Sequence, residues 1–559
     1  MFFEILVLLC TLLVVYGLRV YSEYCRVRDS VKDIVSFTTF LPNESDLSSL
    51  FSSNTSFVLG QFNFWHRKYD LYERSGWNIS AAISLWPRVA VTYIIAEPQT
   101  MKEIGLNRLK YPKPHLQYEI LNLYGRNIIT AEGDEWKKIK KIAAPSFSER
   151  NNRMVWDESV LMMTQFFDEI WDTGDEGKED VVVVVDNFVG PCLQFGLRVI
   201  AAAGFGKRLS WTNHHTHTPA ESNHALSFEE TFQILSRDLY LKLLTPEWIP
   251  SITESLGRVR VAFLEMKMYM QEIIEQRSGG REGHGGEVIE RDDLFSNLIK
   301  ANEGFGYAGE TLSDDELMGV SSFFSFSFQP KVNAMMYWLG NVFAFLLAGH
   351  ETSSHTLCFT MALLALYQEE QEKLYQHITG ICPDRTPTYD DMPALTRSLA
   401  VLYETLRLFP AVIGIPKVTT EDTSFTLTNT HDQGRSRTIP VPAGTQLVIH
   451  PPGVHYNPRY WQDPHGFRPD RFLKSSEEWD RDAFVPFSVG ARSCIGRRFS
   501  EIENVAMLTL LVKTYKFTVT EEDEFKHETF EERKKRVLNA IHGITITPVR
   551  VPLTFTKRQ

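Results

Sequence analysis

Phe487-Ser-Val-Gly490-Ala-Arg492-Ser-Cys494-Ile-Gly496 is the stretch on which the reading of this chain turns. One cysteine stands in a segment loosened by two glycines, directly before the amphipathic run Arg497 to Val512. A helix beginning there presents its N-terminus to the sulfur, and Arg492, Arg497 and Arg498 add positive charge, so a thiolate is favoured. Gly490 and Gly496 allow the backbone to come close to a flat cofactor. Backbone N–H groups around the sulfur could set its electron donation. A lone cysteine is more often buried and inert; the whole ten-residue pattern is what argues for a ligand.

Upstream lies Glu404-Thr-Leu-Arg407-Leu-Phe-Pro410. Positions i and i+3 share a helix face, so Glu404 and Arg407 can pair, although most such pairs are exposed and contribute little. Further on comes Phe467-Arg-Pro469-Asp470-Arg471-Phe472. Earlier, Ala348-Gly349-His350-Glu351-Thr352 sits in a long apolar helical run about 140 residues before Cys494. Glycine and a back-bonding threonine can open a local kink with room for a diatomic ligand. An acid next to an alcohol can relay protons.

In combination these segments resemble the cytochrome P-450 family. Its cysteine-loop pattern is F-x-x-G-x-R-x-C-x-G, and every specified position matches; E-x-x-R, F-x-P-(E/D)-R-F and A-G-x-(E/D)-T match as well. The resemblance implies that Cys494 is the metal ligand, an axial thiolate on the iron of haem b that favours O–O cleavage. It places Phe487 near the sulfur, Gly490 and Gly496 in the cofactor loop, and Arg492 on a haem propionate. Glu404, Arg407 and Arg471 resemble the family's structural triad, which holds the cysteine loop without doing chemistry. Thr352 is implied as the hydrogen-bond partner of dioxygen, Glu351 as the proton feed, and Gly349 as the residue that makes room. Trp136-Lys-Lys-Ile-Lys140 falls where the family has W-x-x-x-R beside the propionates; Lys140 keeps the charge but loses the bidentate fork. Lys417, seven residues after Pro410, falls where relatives often place another propionate-binding base. Gly453 to Trp461 resembles the stretch before F-x-P-(E/D)-R-F. The likeness covers about residues 60 to 550, and with Ala143-Ala-Pro-Ser-Phe147-Ser it is closest to microsomal fungal members.

The predicted fold class is therefore mainly α (α+β): a helix-rich single catalytic domain with small β-sheets, residues 25–559, behind an N-terminal membrane anchor, residues 1–24. Helical patterns run over Ser227 to Tyr240, Val261 to Arg277 and Asn341 to Lys373. Strand-like runs occur at Phe425 to Leu427, Thr438 to Val441, Gln446 to Ile449 and twice after Thr514. Ser278 to Gly286 and Thr428 to Thr438 read as loops.

Phe2 to Tyr21, with Glu4 near one interface, can just span a bilayer, and within it Ile5 to Leu18 is apolar almost without a break. Arg19, Arg26 and Arg28 follow it, which puts the bulk of the chain in the cytosol. A signal peptide fits less well, since neither a basic n-region nor an A-x-A site is present. The sequons at Asn43, Asn54 and Asn78 need a lumenal location and carry no meaning in the cytosol.

Composition sets the bounds. The 559 residues are 43% hydrophobic and 23% charged, which rules out a disordered, collagen-like or coiled-coil chain. A net charge of −12 disfavours nucleic acid as a partner. Six scattered cysteines (10, 25, 192, 358, 382, 494) without a C-x-x-C pair support neither a disulfide scaffold nor a zinc finger.

One segment departs from the pattern. Ser313 to Glu316 is a capping box opening an apolar helix. Val320 to Gly340 then interposes Pro330 and a Ser/Phe alternation. Without these 21 residues, Leu317, Val342 and Phe345 form one helical stripe. The expectation is an atypical insertion, translated from an unspliced intron, that loops out over Val320 to Trp338. A genuine inserted loop is the alternative.

The functional expectation is a haem-thiolate monooxygenase oxidising a lipophilic small molecule in fungal secondary metabolism, with a terpenoid as the expected substrate class. By resemblance it works in the endoplasmic reticulum membrane, single-pass, with electrons from NADPH through NADPH-cytochrome P-450 reductase or with cytochrome b5 as a further donor. Lys137 to Lys141, Arg497 and Arg498 form a candidate basic docking face. Arg126 to Ile129, Phe343 to Gly349 and Ala411 to Pro416 are expected to line the substrate pocket. Two other readings stay open: a haem-thiolate isomerase or dehydratase working without reductase, and a non-enzymatic haem-binding sensor.

Overall fold

The computed structural model describes residues 2–32, 34–41, 62–119, 121–171, 182–209, 211, 224–244, 253–278, 296, 330–429, 431–432, 435–473, 479–543 and 545–559. The first helix runs from Phe2 to Ser30. Its apolar portion is long enough to cross a membrane and none of it is buried in the protein. The helix continues past residue 24 because Arg19, Glu23, Arg26 and Arg28 are good helix formers. Its last turns dock on the rest of the chain: the Tyr24 hydroxyl lies 3.1 Å from Thr38 Oγ1, and Val31 is buried.

A five-stranded mixed sheet takes the order Ser36–Thr39, Ile79–Ser84, Ala90–Ile95, Gln446–Ile449, Ile415–Val418. A three-stranded sheet joins Val182–Val185, Leu553–Lys557 and Tyr515–Val519. Two hairpins complete the β structure, Thr423–Thr428 with Ser436–Val441 and Ala540–His542 with Ile546–Pro548. All five strand-like runs read from the sequence lie in or on these strands. Ser436 to Thr438, expected in a loop, is already strand. Residues 279–286 of the expected Gly-rich loop lie outside the described residues, as do Asn43 and Asn54. Asn78 is fully buried and hydrogen-bonded to Glu97 and Asn457, so its sequon has no access to a glycosylating enzyme.

The helices Phe228–Leu244 and Glu254–Ser278 cover the two predicted there. The third departs from expectation at both ends. Pro330–Leu366 is a single helix of 37 residues, and a separate helix, Gln368–Ile381, follows a break at Tyr367. The Gln368 amide donates to the carbonyls of Leu364 and Ala365 and to Phe517, capping the long helix where a continuation was expected.

At the N-terminal end, residues 330–338 are helical rather than looped out. Pro330 does not interrupt the helix: it is the first helical residue, where its missing N–H costs nothing. Residues 320–329 lie outside the described residues. Gly340 lies so close to Gly125 that a Cβ would meet its carbonyl oxygen at 2.5 Å, and the Asn341 side chain accepts from Ile128 N at 2.9 Å. Deleting Val320 to Gly340 places Gly319 directly before Asn341, so a glycine still faces Gly125. Such a deletion is expected to raise the yield of haem-loaded protein. Loss of haem content in the deletion variant would show that the helix needs Pro330 to Leu339.

Candidate active site

The cysteine loop is held from several sides. Cys494 N donates to Phe487 O at 2.9 Å, closing the loop on itself. Gly490 has φ +75°, and a Cβ there would meet Gly105 O at 2.0 Å. The close approach of the helix Pro98–Leu106 therefore requires a glycine here. A Cβ at Gly496 would meet only Phe147 and the Cys494 sulfur at ordinary contact distances, so the protein itself leaves that position open. Helix Arg497–Thr514 begins two residues after Ile495.

Cys494 is accessible. The protein atoms around it push its thiol up, while the Gly496 N–H and Arg497 pull the other way. Arg492 plays no part in this, contrary to the sequence argument: its guanidinium bonds Ile128 O, Ala131 O and Glu132 and lies 4.2 Å over the Trp136 ring. Arg497 is shared between Glu501, at 2.8 Å, and the faces of Phe487 and Tyr403. Arg498 also pairs with Glu501 and Lys137 with Asp134, so much of the expected docking face is internally compensated.

Glu404, Arg407 and Arg471 come together as the sequence implied. Arg407 and Glu404 are fully buried and bound bidentately at 2.7 and 2.9 Å; Arg471 Nε reaches Glu404 at 3.1 Å. Arg407 also donates to the carbonyls of His455, Pro464 and Gly466, which uses all five guanidinium N–H groups. His455 extends this network. Its Nδ1 lies 3.0 Å from Arg407 O, and its Nε2 accepts from Val485 N at 3.0 Å, two residues before Phe487. Because Nε2 accepts, the proton sits on Nδ1, and burial pushes the ring down to about 3, which keeps it neutral. His455 thus joins the triad to the cysteine loop. Its sequence segment was noted, but a lone histidine in a turn gave no sign of this link.

The long helix is buried from Leu339 to Leu347 and from Ser353 to Ala365. Between these runs Ala348 is exposed, and Gly349, Glu351 and Thr352 are half-buried. A helix threading the core that opens for one turn borders an interior space. Phe345 contacts Phe147, which also neighbours Gly496, and Ser353 Oγ lies 3.1 Å from Ser500 Oγ. The open turn therefore sits near the start of the helix that follows Cys494. Thr352 Oγ1 back-bonds to Ala348 O at 2.7 Å without interrupting the helix. Gly349 is closed off by Ile200, whose Cδ1 would lie 3.1 Å from an added Cβ. Burial pushes Glu351 up to about 7, opposed by a hydrogen bond with Thr545.

A second grouping is electrostatic. Lys417 lies on the sheet edge, buried, and burial with the nearby Arg492 charge lowers it to about 8. Lys113 is brought beside it because Val418 N donates to Pro112 O at 3.0 Å. Burial, then Arg492 and Lys417, lower Lys113 to about 7. Lys140 Nζ donates to Ala491 O at 3.1 Å and lies over the Trp136 ring. Lys113 stands between two prolines, and nothing in its spacing marked it.

The family model for Cytochrome P450 matches residues 64–327 and 335–546. The chain belongs to the cytochrome P450 family. Cytochrome P450 monooxygenase 124 of Postia placenta is 44% identical over 506 residues, covering 90% of each chain. Cytochrome P450 monooxygenase AOL_s00215g278 of Arthrobotrys oligospora is 24% identical over 82% of each. Cyclooctat-9-en-7-ol 5-monooxygenase of Streptomyces melanosporofaciens is 23% identical over 76% of this chain and 80% of that one. As a P450, this protein is a monooxygenase with haem b as cofactor, and its mainly α fold with small sheets is the family's.

The residues of this P450 fit that group. Lys113, Lys417 and Arg492 face one another with a single carboxylate, Glu132, among the charges acting on them. Arg492 Nε and Glu132 Oε1 are buried without a hydrogen-bond partner. An excess of positive charge at one place is what two propionates neutralise. In the haem-free chain that charge is a liability. Both lysines have folded pKa values, about 7 and about 8, below their ordinary 10.5, so the unfolded chain binds more protons in that window. Stability of the haem-free P450 should therefore rise with pH from about 7 to 10. Lys113→Met is expected to flatten that rise and to speed haem loss severalfold. Denaturant midpoints at several pH values and transfer of haem to an acceptor protein check both; an unchanged slope would refute the charge argument.

Proposed function

We propose that this P450 is a membrane-anchored monooxygenase in which Cys494 holds the haem iron and Arg492, Lys113, Lys417 and Lys140 surround the propionates. Thiolate-ligated haem, when bound, supplies the oxygen activation. Around it the chain excludes water, orients a lipophilic substrate and moves protons. Glu351 is the residue that carries the reading: an acid at about 7, beside Thr352, at the turn that opens between the buried runs Leu339 to Leu347 and Ser353 to Ala365. At neutral pH it can both hold and release a proton, as a proton donor to dioxygen must. A dehydratase could use the same acid on a leaving hydroxyl, so dependence on NADPH is what separates the two enzyme readings.

Electrons come from NADPH through a P450 reductase, with cytochrome b5 as a possible second donor in the same class. The first helix anchors the chain in the endoplasmic reticulum membrane with residues 25–559 in the cytosol; protease resistance of the catalytic domain in sealed microsomes would overturn that topology. The substrate is a lipophilic small molecule of fungal secondary metabolism. The relative from Streptomyces, named as a monooxygenase of cyclooctat-9-en-7-ol, supports an alcohol among the candidate substrates. Reconstitution with reductase and NADPH under ¹⁸O₂, using a panel of terpene alcohols, tests the reading. Incorporation of one labelled oxygen is expected. Conversion that proceeds without NADPH and without label would favour the isomerase.

A further inference from the structure

Glu351 does not stand alone beside Thr352. His355 lies one helical turn on, on the same face. Both side chains converge on one hydroxyl, that of Thr545, in the turn of the hairpin Ala540–His542 with Ile546–Pro548. His355 Nδ1 lies 3.0 Å from Thr545 Oγ1, and the same hydroxyl is close enough to the Glu351 carboxyl to favour its ionised form. Thr545 and His355 are both buried. The turn is fixed in place: Gly543 N donates to Thr545 O at 2.9 Å, and Ile546 N donates to Ala411 O at 3.0 Å. Nothing in the sequence patterns connects residue 545 to the long helix.

A hydroxyl has one proton to give, so it can donate to only one of two partners at a time. With Glu351 ionised, Thr545 donates to the carboxylate and accepts from His355 Nδ1–H. With Glu351 protonated, the carboxyl donates to Thr545, which donates to an unprotonated Nδ1. The two arrangements differ by a rotation of the hydroxyl and a change of imidazole tautomer. Burial holds His355 neutral, at about 3, so both tautomers are open to it.

We propose that Thr545 is a positioning residue that passes protons between His355 and Glu351 and so reloads the acid at the open turn of the helix. The step balances without any redox partner. A proton from solvent water forms Nε2–H on His355; the Nδ1–H bond breaks and its proton joins Thr545 Oγ1; the original Thr545 proton joins the Glu351 carboxylate. One proton enters, one arrives at Glu351, and no electrons move. Once Glu351 has given up its proton, rotation of the hydroxyl and return of the imidazole proton from Nε2 to Nδ1 through solvent water reset the chain. The inference rests on the monooxygenase reading and deepens it.

Thr545→Val keeps the shape and removes the hydroxyl, and Thr545→Ser restores it. Two readings decide. The first is infrared difference spectroscopy with ¹³C-labelled glutamate, with Glu351→Gln identifying the band. The protonated Glu351 C=O band should shift in Thr545→Val and return in Thr545→Ser. The second is peroxide released per NADPH consumed with reductase, without added substrate, which should rise at least twofold in Thr545→Val and return in Thr545→Ser. Should Thr545→Val fail to retain haem, His355→Leu breaks the same link from the helix side and is read in the same way. A wild-type chain that takes up haem but oxidises no NADPH would overturn the monooxygenase reading itself. A wild type that oxidises NADPH, with the variant unchanged in both band and peroxide, would overturn the role of Thr545 alone.

Discussion

Cys494→Ala is expected to abolish the red-shifted Soret band of the reduced, CO-treated protein, while leaving the folded chain in place. The loss should be complete, because Cys494 is the one cysteine in the matching loop; Cys192, Cys358 and Cys382 are buried, and Cys10 and Cys25 lie on the first helix. The fold should survive for a separate reason. The bond that closes the loop runs from the backbone N–H of Cys494 to Phe487 O, and alanine keeps it. Substituting any of the other five cysteines should spare the band. A normal band in Cys494→Ala would remove the ligand assignment.

Arg407→Leu should act in the opposite manner, destroying the fold while touching nothing at the reacting centre. Its guanidinium satisfies the Glu404 carboxylate and three backbone carbonyls from a site with no exposure at all. Breaking a buried ion pair from one side costs about 3–5 kcal/mol. Each carbonyl left without a donor adds roughly 1–3 kcal/mol. Against a typical net stability of about 5–15 kcal/mol, the variant should fail to accumulate as haem protein. Arg407→Lys keeps a charge but offers three donors in place of five, so partial recovery is expected. The measurement is haem content per unit of soluble chain, with the unfolding midpoint. A Leu variant matching wild type in both would mean that the triad does not hold the cysteine loop.

These two variants separate what a linear reading reaches from what it does not. The cysteine loop, the Glu404–Arg407 pair and the Glu351–Thr352 step are each contained within a few residues. Their chemistry follows from residue type and from the helical period, which places i and i+3 on one face wherever the helix lies. Arg471 was reached by pattern likeness, and its 3.1 Å bond to Glu404 spans 67 positions. The first helix was legible because bilayer thickness converts directly into residue count. Pro330 was misjudged because a proline that ends a helix and one that starts it look alike until the helix boundary is known.

By itself, then, the sequence determined the family, its haem-thiolate chemistry and an apolar first helix long enough to cross a membrane. Tertiary structure alone decided the rest. It set Lys113 beside Lys417 through pairing of Pro112 with Val418, made Gly490 obligatory through Gly105, linked His455 to Val485, and put Thr545 between Glu351 and His355. It also lifted Glu351 to about 7, because a pKa responds to how much protein surrounds the carboxyl. Covalent spacing fixes which groups share a turn. Which distant turns meet, and how far water is excluded where they do, is settled only when the chain packs.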